Sequence, residues 1–455
     1  MTRHRSPIAG EEGLSPAELY GTPDVREGTY EPGKLPLLSK AELISGFSEG
    51  LDLAEGRAIG HANRVCYIAG RLAQALELPE ADQTTLYYAG LLHDLGVPLV
   101  SAELSDIIGV NENALFAASP RKSPEELAAD CRAPVPDAII GAFHRHASLG
   151  GAKAIALGLS TPVGETIASS HENWDGSGYP EGLAAHDIPL LSRLLATADW
   201  AESVIAEEQN SLVARRNLVA EVEDVSEIVL DPKLVEQVKA ISRSDDFWLG
   251  LFGKDISRSL LGARRQENGR WSWKAVMNLA KGLAEVIDSK SHFTKGKSAR
   301  VSEIAGQLAE AVGLFPEHVQ VIRLAALLHD IGQLSVPARI MGKPDILTLT
   351  EMQLMQRHPS YSRLILENLS GMEEAAQWVG GHHERPDGKG YPEMLATDLI
   401  PLESRIIAVA NVYVALTSDR PYRQALGEKD ALKVMTGAAG TQLDAHLVQE
   451  FRALH

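Results

Sequence analysis

The chain has few of the features that mark membrane-embedded or disulfide-bonded proteins. Cys66 and Cys131 are the only cysteines among its 455 residues, which is too few for a disulfide framework, and they match no zinc-binding pattern. No apolar run reaches the ~18–20 residues of a membrane span. The first 13 residues are polar and lack the apolar core of a signal peptide. We therefore expect a cytoplasmic protein with no membrane partner.

Basic surface is also scarce. The chain carries 61 acidic and 43 basic residues, a formal net charge of −18. Proteins that bind nucleic-acid polymers usually carry basic surface to neutralise phosphates, so we expect no such partner. A small phosphorylated nucleotide remains compatible with this charge, because a bound divalent cation can invert the local field.

A pattern of histidine, aspartate and Gly-Tyr-Pro occurs twice. Corresponding positions are 236 residues apart early in the pattern, as from His93 to His329, and 212 apart later, as from His146 to His358. One 24-residue difference between positions 97 and 146 therefore aligns the copies and indicates a duplicated domain. Copy one has Gly60-His61, His93-Asp94, His146, His171-Glu172, Gly178-Tyr179-Pro180 and Asp199, and copy two has Gly296-Lys297, His329-Asp330, His358, His382-His383-Glu384, Gly390-Tyr391-Pro392 and Asn411.

Both copies show the periodicity of helices. Apolar residues from Val65 to Leu76 recur at intervals of three and four, and the same stripe returns from Val301 to Val312. Alternating strand patterns with hairpin turns are absent. We predict an all-α fold with two tandem helical domains. The expected segments are a flexible N-terminal part at 1–38, copy one at 39–245, a packed connector at 246–271 and copy two at 272–455.

The repeated side chains of copy one predict a metal site. Imidazoles and carboxylates without a thiolate suit divalent iron or manganese, and also zinc. A lone histidine on a helix is more often structural, but a whole set repeated in register favours ligands. Six ligands can hold two ions about 3.5–4 Å apart, the spacing used for phosphoester hydrolysis. Asp94 would bridge the ions and orient the water. We assign His61, His93, Asp94 and Asp199 to the first ion, and His146 and His171 to the second.

The motifs resemble the HD-GYP branch of the HD phosphohydrolases. The resemblance rests on His-Asp-Leu-Gly at 93–96, on His-Glu-Asn-Trp-Asp-Gly-Ser-Gly-Tyr-Pro at 171–180, and on Asp-Arg-Pro-Tyr-Arg at 419–423. It implies an all-helical, non-haem metal phosphodiesterase in which metal-activated water attacks phosphorus. The substrate characteristic of that branch is cyclic di-GMP. The resemblance also implies substrate contacts from Gly178, Tyr179, Pro180, Arg420 and Arg423, although the Gly-Tyr-Pro loop can equally serve only to turn the chain.

Copy one departs from the family pattern in three places. Val97 stands where the family has a lysine, and Ser170 replaces the first histidine of a His-His pair. The Arg-Pro-Tyr-Arg segment is absent after Asp199. Metal ligands are therefore expected to persist in copy one, whereas recognition of cyclic di-GMP is weakened.

Copy two departs elsewhere. Lys297 and Asn411 replace a histidine and an aspartate, and Gln333 replaces the lysine. An ammonium repels a metal ion, and an amide is a poorer ligand than a carboxylate. We expect at most one residual ion in copy two, held by His329, Asp330, His358, His382 and His383.

These features predict a metal-dependent phosphohydrolase or phosphodiesterase with its chemistry in copy one and a regulatory or structural copy two. One alternative is an HD phosphohydrolase for another nucleotide or a phosphomonoester. The other is a catalytically inactive sensor or scaffold that binds a cyclic dinucleotide through Arg420 and Arg423. The expected ligand is a small phosphorylated nucleotide, and a signalling protein or a second copy of the chain is a candidate partner.

Overall fold

The regular secondary structure of the first half is helical among its described residues. The computed structural model describes residues 34–108, 111–118, 121–130, 136–208, 211–253, 256–263 and 271–455. The helices of the first half are α1 Lys40–Ala54, α2 His61–Ala75, α3 Glu80–Leu91, α4 Val97–Ile108, α5 Glu112–Ala118, α6 Pro124–Asp130, α7 Pro136–Ala156, α8 Thr161–Ala168, α9 Leu190–Ala206, α10 Ser211–Asp224, α11 Pro232–Ile241, α12 Asp245–Leu251 and α13 Ile256–Ala263, with a 3₁₀ turn at Ala185–Asp187.

The second half repeats this order. Its helices are α14 Trp273–Ser289, α15 Lys297–Ala311, α16 Pro316–Leu328, α17 Ala338–Met341, α18 Leu349–Gln356, α19 His358–Glu367, α20 Glu373–Gly380, α21 Leu402–Leu416, α22 Glu428–Ala438 and α23 Ala445–Ala453, with 3₁₀ turns at Ile331–Ser335 and Thr397–Leu399. Among the described residues the β-bridges are isolated pairs that form no strand. The predicted all-α fold is confirmed.

The predicted apolar stripes form the buried faces of α2 and α15. Val65, Ile68 and Leu72 are fully buried in α2, as are Val301 and Leu308 in α15. These side chains sit on one face because residues three and four apart are neighbours on a helix. The buried stripe fixes the rotation of each helix about its axis, and so fixes where its first residue points.

A buried aspartate holds the start of each of these helices. Asp52 accepts hydrogen bonds from the backbone N–H groups of Gly60 (2.7 Å) and Ala62 (3.0 Å). Asp288 does the same in the second half, from the N–H (3.0 Å) and the hydroxyl (2.7 Å) of Ser298. The unsatisfied N–H groups of a helix start are paired in this way. Residues 61 and 297, which begin α2 and α15, are thereby held in equivalent positions.

The last helix of each half also begins with a matched cap. Asp231 caps α11 through the N–H of Lys233 (2.8 Å), and Asp444 caps α23 through the N–H of Leu447 (3.0 Å). Asp231 also accepts a hydrogen bond from Arg193 of α9, and Asp444 accepts one from Arg405 of α21. An aspartate cap with an arginine partner at corresponding positions supports duplication of one helical unit.

The two halves pack together through reciprocal elements. α1 packs against the Ile331–Ser335 turn and α19 of the second half, and α14 packs against α4 of the first. Leu43 and Phe47 of α1 line a small apolar cavity there together with Ile331, Ile365 and Leu369. The apolar side chains of α1 are thus buried by the opposite half, as the hydrophobic effect requires of such a face.

A polar network around Glu112 and Asn113 joins the halves. Both residues lie between positions 97 and 146, where copy one is 24 residues longer than copy two. The Asn113 amide donates to the Leu53 carbonyl (3.0 Å) and to the Leu334 carbonyl across the interface (3.4 Å). Glu112 accepts from the N–H of Ala338 (2.6 Å). The fully buried ammonium of Lys290 donates to the Asn113 side-chain oxygen (3.2 Å). Buried polar groups need such partners, so this segment contributes specific contacts between the halves.

Parts of the predicted organisation fall outside the described residues. Residues 1–33 of the expected N-terminal segment, Cys131, and residues 254–255 and 264–270 of the expected connector are among them. The described part of the connector contains α12, whose Phe247 is buried. The domain boundaries stay predictions. None of the described helices combines the length and apolarity needed to cross a membrane.

Glu49 provides a test of the packing between the halves. It is buried on α1 and accepts two hydrogen bonds from the Asn368 amide of the second half (3.2 and 3.0 Å). Burial and, to a smaller extent, the charge of Asp52 raise the pKa of this carboxyl to about 8, against the lowering effect of the Asn368 hydrogen bond. The folded state therefore binds the proton more tightly than the unfolded state. Stability is present at acidic pH and is lost as the pH rises from 4.5 through 8.

We predict that Glu49→Gln removes this loss. At pH 8.5 its free energy of unfolding should exceed that of the wild type by on the order of 1–3 kcal/mol. At pH 4.5 the two proteins should be equal, because glutamine mimics the protonated acid. Urea unfolding at both pH values measures the difference, with the exposed Glu303→Gln as the matched control. A Glu49→Gln protein destabilised equally at both pH values would contradict the prediction.

Candidate metal centre

The His93-Asp94 pair lies just beyond the end of α3. Adjacent residues of a regular helix point in different directions, but α3 ends at Leu91 and the chain turns through 92–96. Both side chains can therefore face one centre. Gly96 makes this possible, because a Cβ there would lie 1.8 Å from the carbonyl oxygen of His146. The glycine of the motif lets α7 bring His146 against the turn.

His61 and His93 are the imidazoles of a first ligand group. Their Nε2 atoms are 3.3 Å apart, and His61 Nε2 lies 3.5 Å from Glu55 Oε2 and 3.5 Å from Asp199 Oδ1. Glu55, His61, His93 and Asp94 can each direct one ligand atom to a common point. All of these side chains are buried.

The outer nitrogens of both imidazoles are already bonded. His61 Nδ1 contacts Glu202 at 2.6 Å, and His93 Nδ1 donates to the carbonyl of Gly90 at 2.8 Å. Both Nε2 atoms therefore face inward, where a proton or a cation must separate them. Glu55 Oε2 and Asp199 Oδ1 are buried there without a hydrogen-bond partner among the described residues. Unpaired buried carboxylate oxygens beside inward nitrogens fit a metal ion.

Carboxylates surround the two imidazoles of this group. Burial acts to lower the pKa of His61, but the carboxylates of Glu202 and Glu55 outweigh it and raise the pKa to about 9. Burial likewise opposes protonation of His93, and Asp94 overcomes it and raises the His93 pKa. A field that binds protons this tightly also attracts a divalent cation.

A second ligand group shares Asp94. Asp94, His146 and His171 can direct ligand atoms to one point, and the Nε2 atoms of the two imidazoles are 3.0 Å apart. Burial lowers the pKa of His146, and burial together with His146 lowers that of His171 to about 3. Both imidazoles are neutral near pH 7, the form that binds metals. Asp94 therefore lies where one carboxylate can serve two ions.

The Gly-Tyr-Pro loop packs behind His171. The Tyr179 ring stacks on His171 (centroids 5.1 Å apart) and on His144 (5.0 Å). Glu172 anchors the loop by accepting hydrogen bonds from the N–H groups of Glu181 and Leu183 (2.8 and 2.9 Å). This geometry orients His171. The substrate contacts expected from Gly178, Tyr179 and Pro180 stay predictions.

Sequence reasoning missed two acidic residues of the centre. Glu55 is six residues before His61, and Glu202 is three after Asp199. Both lie outside the motifs from which the other ligands were predicted, and Ser291 and Val414 occupy the corresponding positions of copy two. The available signal was that each of these acidic residues lies close in sequence to a predicted ligand of copy one. Glu202 fixes the orientation of His61 through its Nδ1 hydrogen bond, a common arrangement for metal-binding histidines.

In copy two a lysine occupies the region of the first group. The Lys297 ammonium donates a hydrogen bond to Asp330, the counterpart of Asp94. Both side chains are buried. Asn411 and Ser291 stand where copy one has the carboxylates of Asp199 and Glu55. An ion pair inside the protein thus neutralises the buried aspartate there.

The second group is complete in copy two. Asp330, His358, His382 and His383 can direct ligand atoms to one point. Asp330 Oδ1 lies 3.3 Å from His358 Nε2 and 3.7 Å from His382 Nε2, and it is buried without a hydrogen-bond partner among the described residues. His329, the fifth predicted ligand, lies outside this group, with its Nε2 3.1 Å from Asp330 Oδ2. The arrangement fits one ion.

The two arginines of copy two have different surroundings. Arg423 donates hydrogen bonds to the carbonyls of Ala415 (2.6 Å), Leu416 (3.0 Å) and Gln424 (3.0 Å), and so closes the end of α21. Arg420 is half-buried. Burial lowers the pKa of its guanidinium, whereas the charge of Asp330 opposes that effect. Phosphate binding by either residue stays a prediction.

A helical fold with buried His-Asp pairs at two sites defines an HD-type phosphohydrolase. Residues 140–213 and 281–447 match the family described as HD domain. The chain belongs to this family, as a metal-dependent phosphodiesterase of the HD-GYP type. The predicted family and enzyme class are confirmed.

Relatives of known activity cover most of the chain. It is 29% identical to the 3′3′-cGAMP-specific phosphodiesterase 3 of Vibrio cholerae over 89% of this chain and 92% of that protein. It is 30% identical to the 3′3′-cGAMP-specific phosphodiesterase 1 of V. cholerae, over 83% of this chain and 82% of that protein. A crystal structure of a cyclic GMP-AMP specific phosphodiesterase from V. cholerae matches with a TM-score of 0.67 and 28% identity, over 91% of this chain and 97% of the other.

We predict that bound metal resides chiefly in copy one, because two ligand groups share Asp94 there and copy two has one group. The double change His93→Ala and Asp94→Ala should remove the larger share of the metal found by elemental analysis. The matched change His329→Ala and Asp330→Ala should remove the smaller share. The reverse order would mean that copy two is the main metal centre.

Proposed function

We propose that copy one hydrolyses a phosphodiester bond of a 3′,3′-linked cyclic dinucleotide. The main observation in support is that the buried carboxylate of Asp94 belongs to both ligand groups of copy one. Relatives that match most of the chain are named for 3′3′-cGAMP, which makes cyclic GMP-AMP the first candidate substrate. Cyclic di-GMP, the substrate implied by the sequence motifs, is the second.

The proposed ligands of one ion are Glu55, His61, His93 and Asp199, and those of the other are His146 and His171, with Asp94 common to both. A pair of divalent ions lowers the pKa of a water molecule and neutralises phosphoryl oxygens. Iron and manganese suit these nitrogen and oxygen ligands, as does zinc. No thiolate takes part in either described group.

The other side chains of copy one orient the ligands. Glu202 holds Nδ1 of His61 and so directs Nε2 inward. The carbonyls of Gly90 and Phe143 do the same for His93 and His146. Tyr179 fixes the ring plane of His171 by stacking. Ligands held in advance lose little entropy when they bind an ion or a substrate.

Asp199 gives the direct test of this site. We predict that Asp199→Asn reduces hydrolysis on the order of 100-fold or more, because the amide lacks the negative charge that a metal ligand supplies. The fold should be retained, since copy two buries Asn411 at the corresponding position. Hydrolysis of both cyclic dinucleotides, metal content and circular dichroism are the measurements. Full activity with full metal content would exclude the ligand role.

For copy two we propose binding without hydrolysis. The specific observation is the Lys297–Asp330 ion pair in the region of the first group. One ion on Asp330, His358, His382 and His383 would remain, with Arg420 as a further cation. Such a site can attract a phosphate while lacking a second ion. A cytoplasmic location, a signalling partner and a homodimer remain parts of the proposal.

The full-length Asp199→Asn protein allows this second site to be measured without substrate turnover. We predict that adding Arg420→Ala weakens cyclic dinucleotide binding at one class of site by about tenfold or more. Arg423 is left unchanged because its hydrogen bonds close α21. Calorimetric titration of both proteins is the measurement. Identical isotherms would leave copy two as a structural half.

A further inference from the structure

Arg57 is a buried cation beside the first ligand group of copy one. It lies in the loop between α1 and α2, and its Nε donates to Glu55 Oε1 at 3.3 Å. Only 14% of the side chain is exposed. Its Nη2 is buried and has no hydrogen-bond partner among the described residues. A buried guanidinium with an unused donor is costly unless a further acceptor binds there.

Arg57 places a positive charge beside the proposed ligands. A guanidinium stays protonated in proteins, and Arg57 Nε lies 3.3 Å from Glu55 Oε1. Glu55 joins the two parts of the site, because its Oε1 contacts Arg57 and its Oε2 faces His61.

The positions where the motif family has phosphate-facing cations are changed in copy one. Val97 is apolar and fully buried, and no Arg-Pro-Tyr-Arg follows Asp199. Arg64, the other arginine at the centre, contacts Glu202 through Nε and Nη2, both at 2.6 Å. Arg57 has no counterpart in copy two, where Phe293 stands 236 residues further on.

We propose that Arg57 binds a non-bridging phosphoryl oxygen of the substrate in copy one and replaces the cations missing at position 97 and after Asp199. This rests on the function proposed above for copy one. The guanidinium plane can bond Glu55 through one edge and a phosphoryl oxygen through another, which a lysine ammonium does less well. Arg57 thus sets the affinity of copy one for its phosphorylated substrate.

The test compares Arg57→Gln and Arg57→Lys with the wild type. Arg57→Gln should raise KM about 10- to 100-fold, the usual effect of one charge-assisted hydrogen bond. The affinity for a hydrolysis-resistant phosphorothioate cyclic GMP-AMP, measured by calorimetry, should fall by a similar factor. The metal content should be unchanged. Arg57→Lys should fall between the two. Arg121→Gln is the control, because Arg121 pairs with Glu207 and Glu221 at the surface of the same half.

Two results would overturn the proposal. One is an unchanged KM and an unchanged binding constant in Arg57→Gln. The other is a loss of metal that parallels the loss of affinity, which would mean that Arg57 only positions Glu55. If the wild type hydrolyses neither cyclic dinucleotide, the function proposed for copy one fails. The role of Arg57 is then judged from the affinity of the metal-loaded proteins for inorganic phosphate, which Arg57→Gln must lower.

Discussion

A buried aspartate that needs a positive partner governs both halves of this protein. Asp94 and Asp330 lie at the end of an apolar helix, beside inward-facing imidazole nitrogens. A lone ionised carboxylate in such surroundings costs several kcal/mol, so a cation must accompany it. In copy one the surrounding imidazoles and carboxylates offer a ligand set for metal ions. In copy two the ammonium of Lys297 supplies part of the same charge within the chain.

The sequence differences between the copies agree with these two ways of balancing the charge of the aspartate. Copy two has Ser291, Lys297, Asn411 and Val414 in place of Glu55, His61, Asp199 and Glu202. All four changes surround one ion position, and the loss of Glu202 accompanies the loss of the histidine it orients. The other ion position keeps its ligands and also has His382, where copy one has Ser170. The changes in copy two therefore remove the first histidine and two carboxylates of one ion position, keep His329 and Asp330, and leave the neighbouring position intact.

The sequence predicted those parts of the fold that depend on local chemistry. The apolar stripes of α2 and α15 follow helical spacing, and the His-Asp pairs recur in register in the two copies. The contribution of Glu55 to the first ligand group was not predicted because that residue lies outside the repeated motifs. The bonds of Arg423 to three carbonyls depend on how the chain folds back at the end of α21. The role of Asn113 could not be predicted either, because its hydrogen bond to the Leu334 carbonyl exists only when the halves are packed.

That packing connects the two centres through one helix. Glu55 immediately follows the last residue of α1, and the same helix rests on the Ile331–Ser335 turn that begins directly after Asp330. Asn113 bonds both segments, through the carbonyls of Leu53 and Leu334. Close-packed interiors transmit small displacements instead of absorbing them. A shift of α1 that repositions Glu55 therefore also moves the surface on which the Asp330 turn rests, so the ligand groups of the two halves share one structural support.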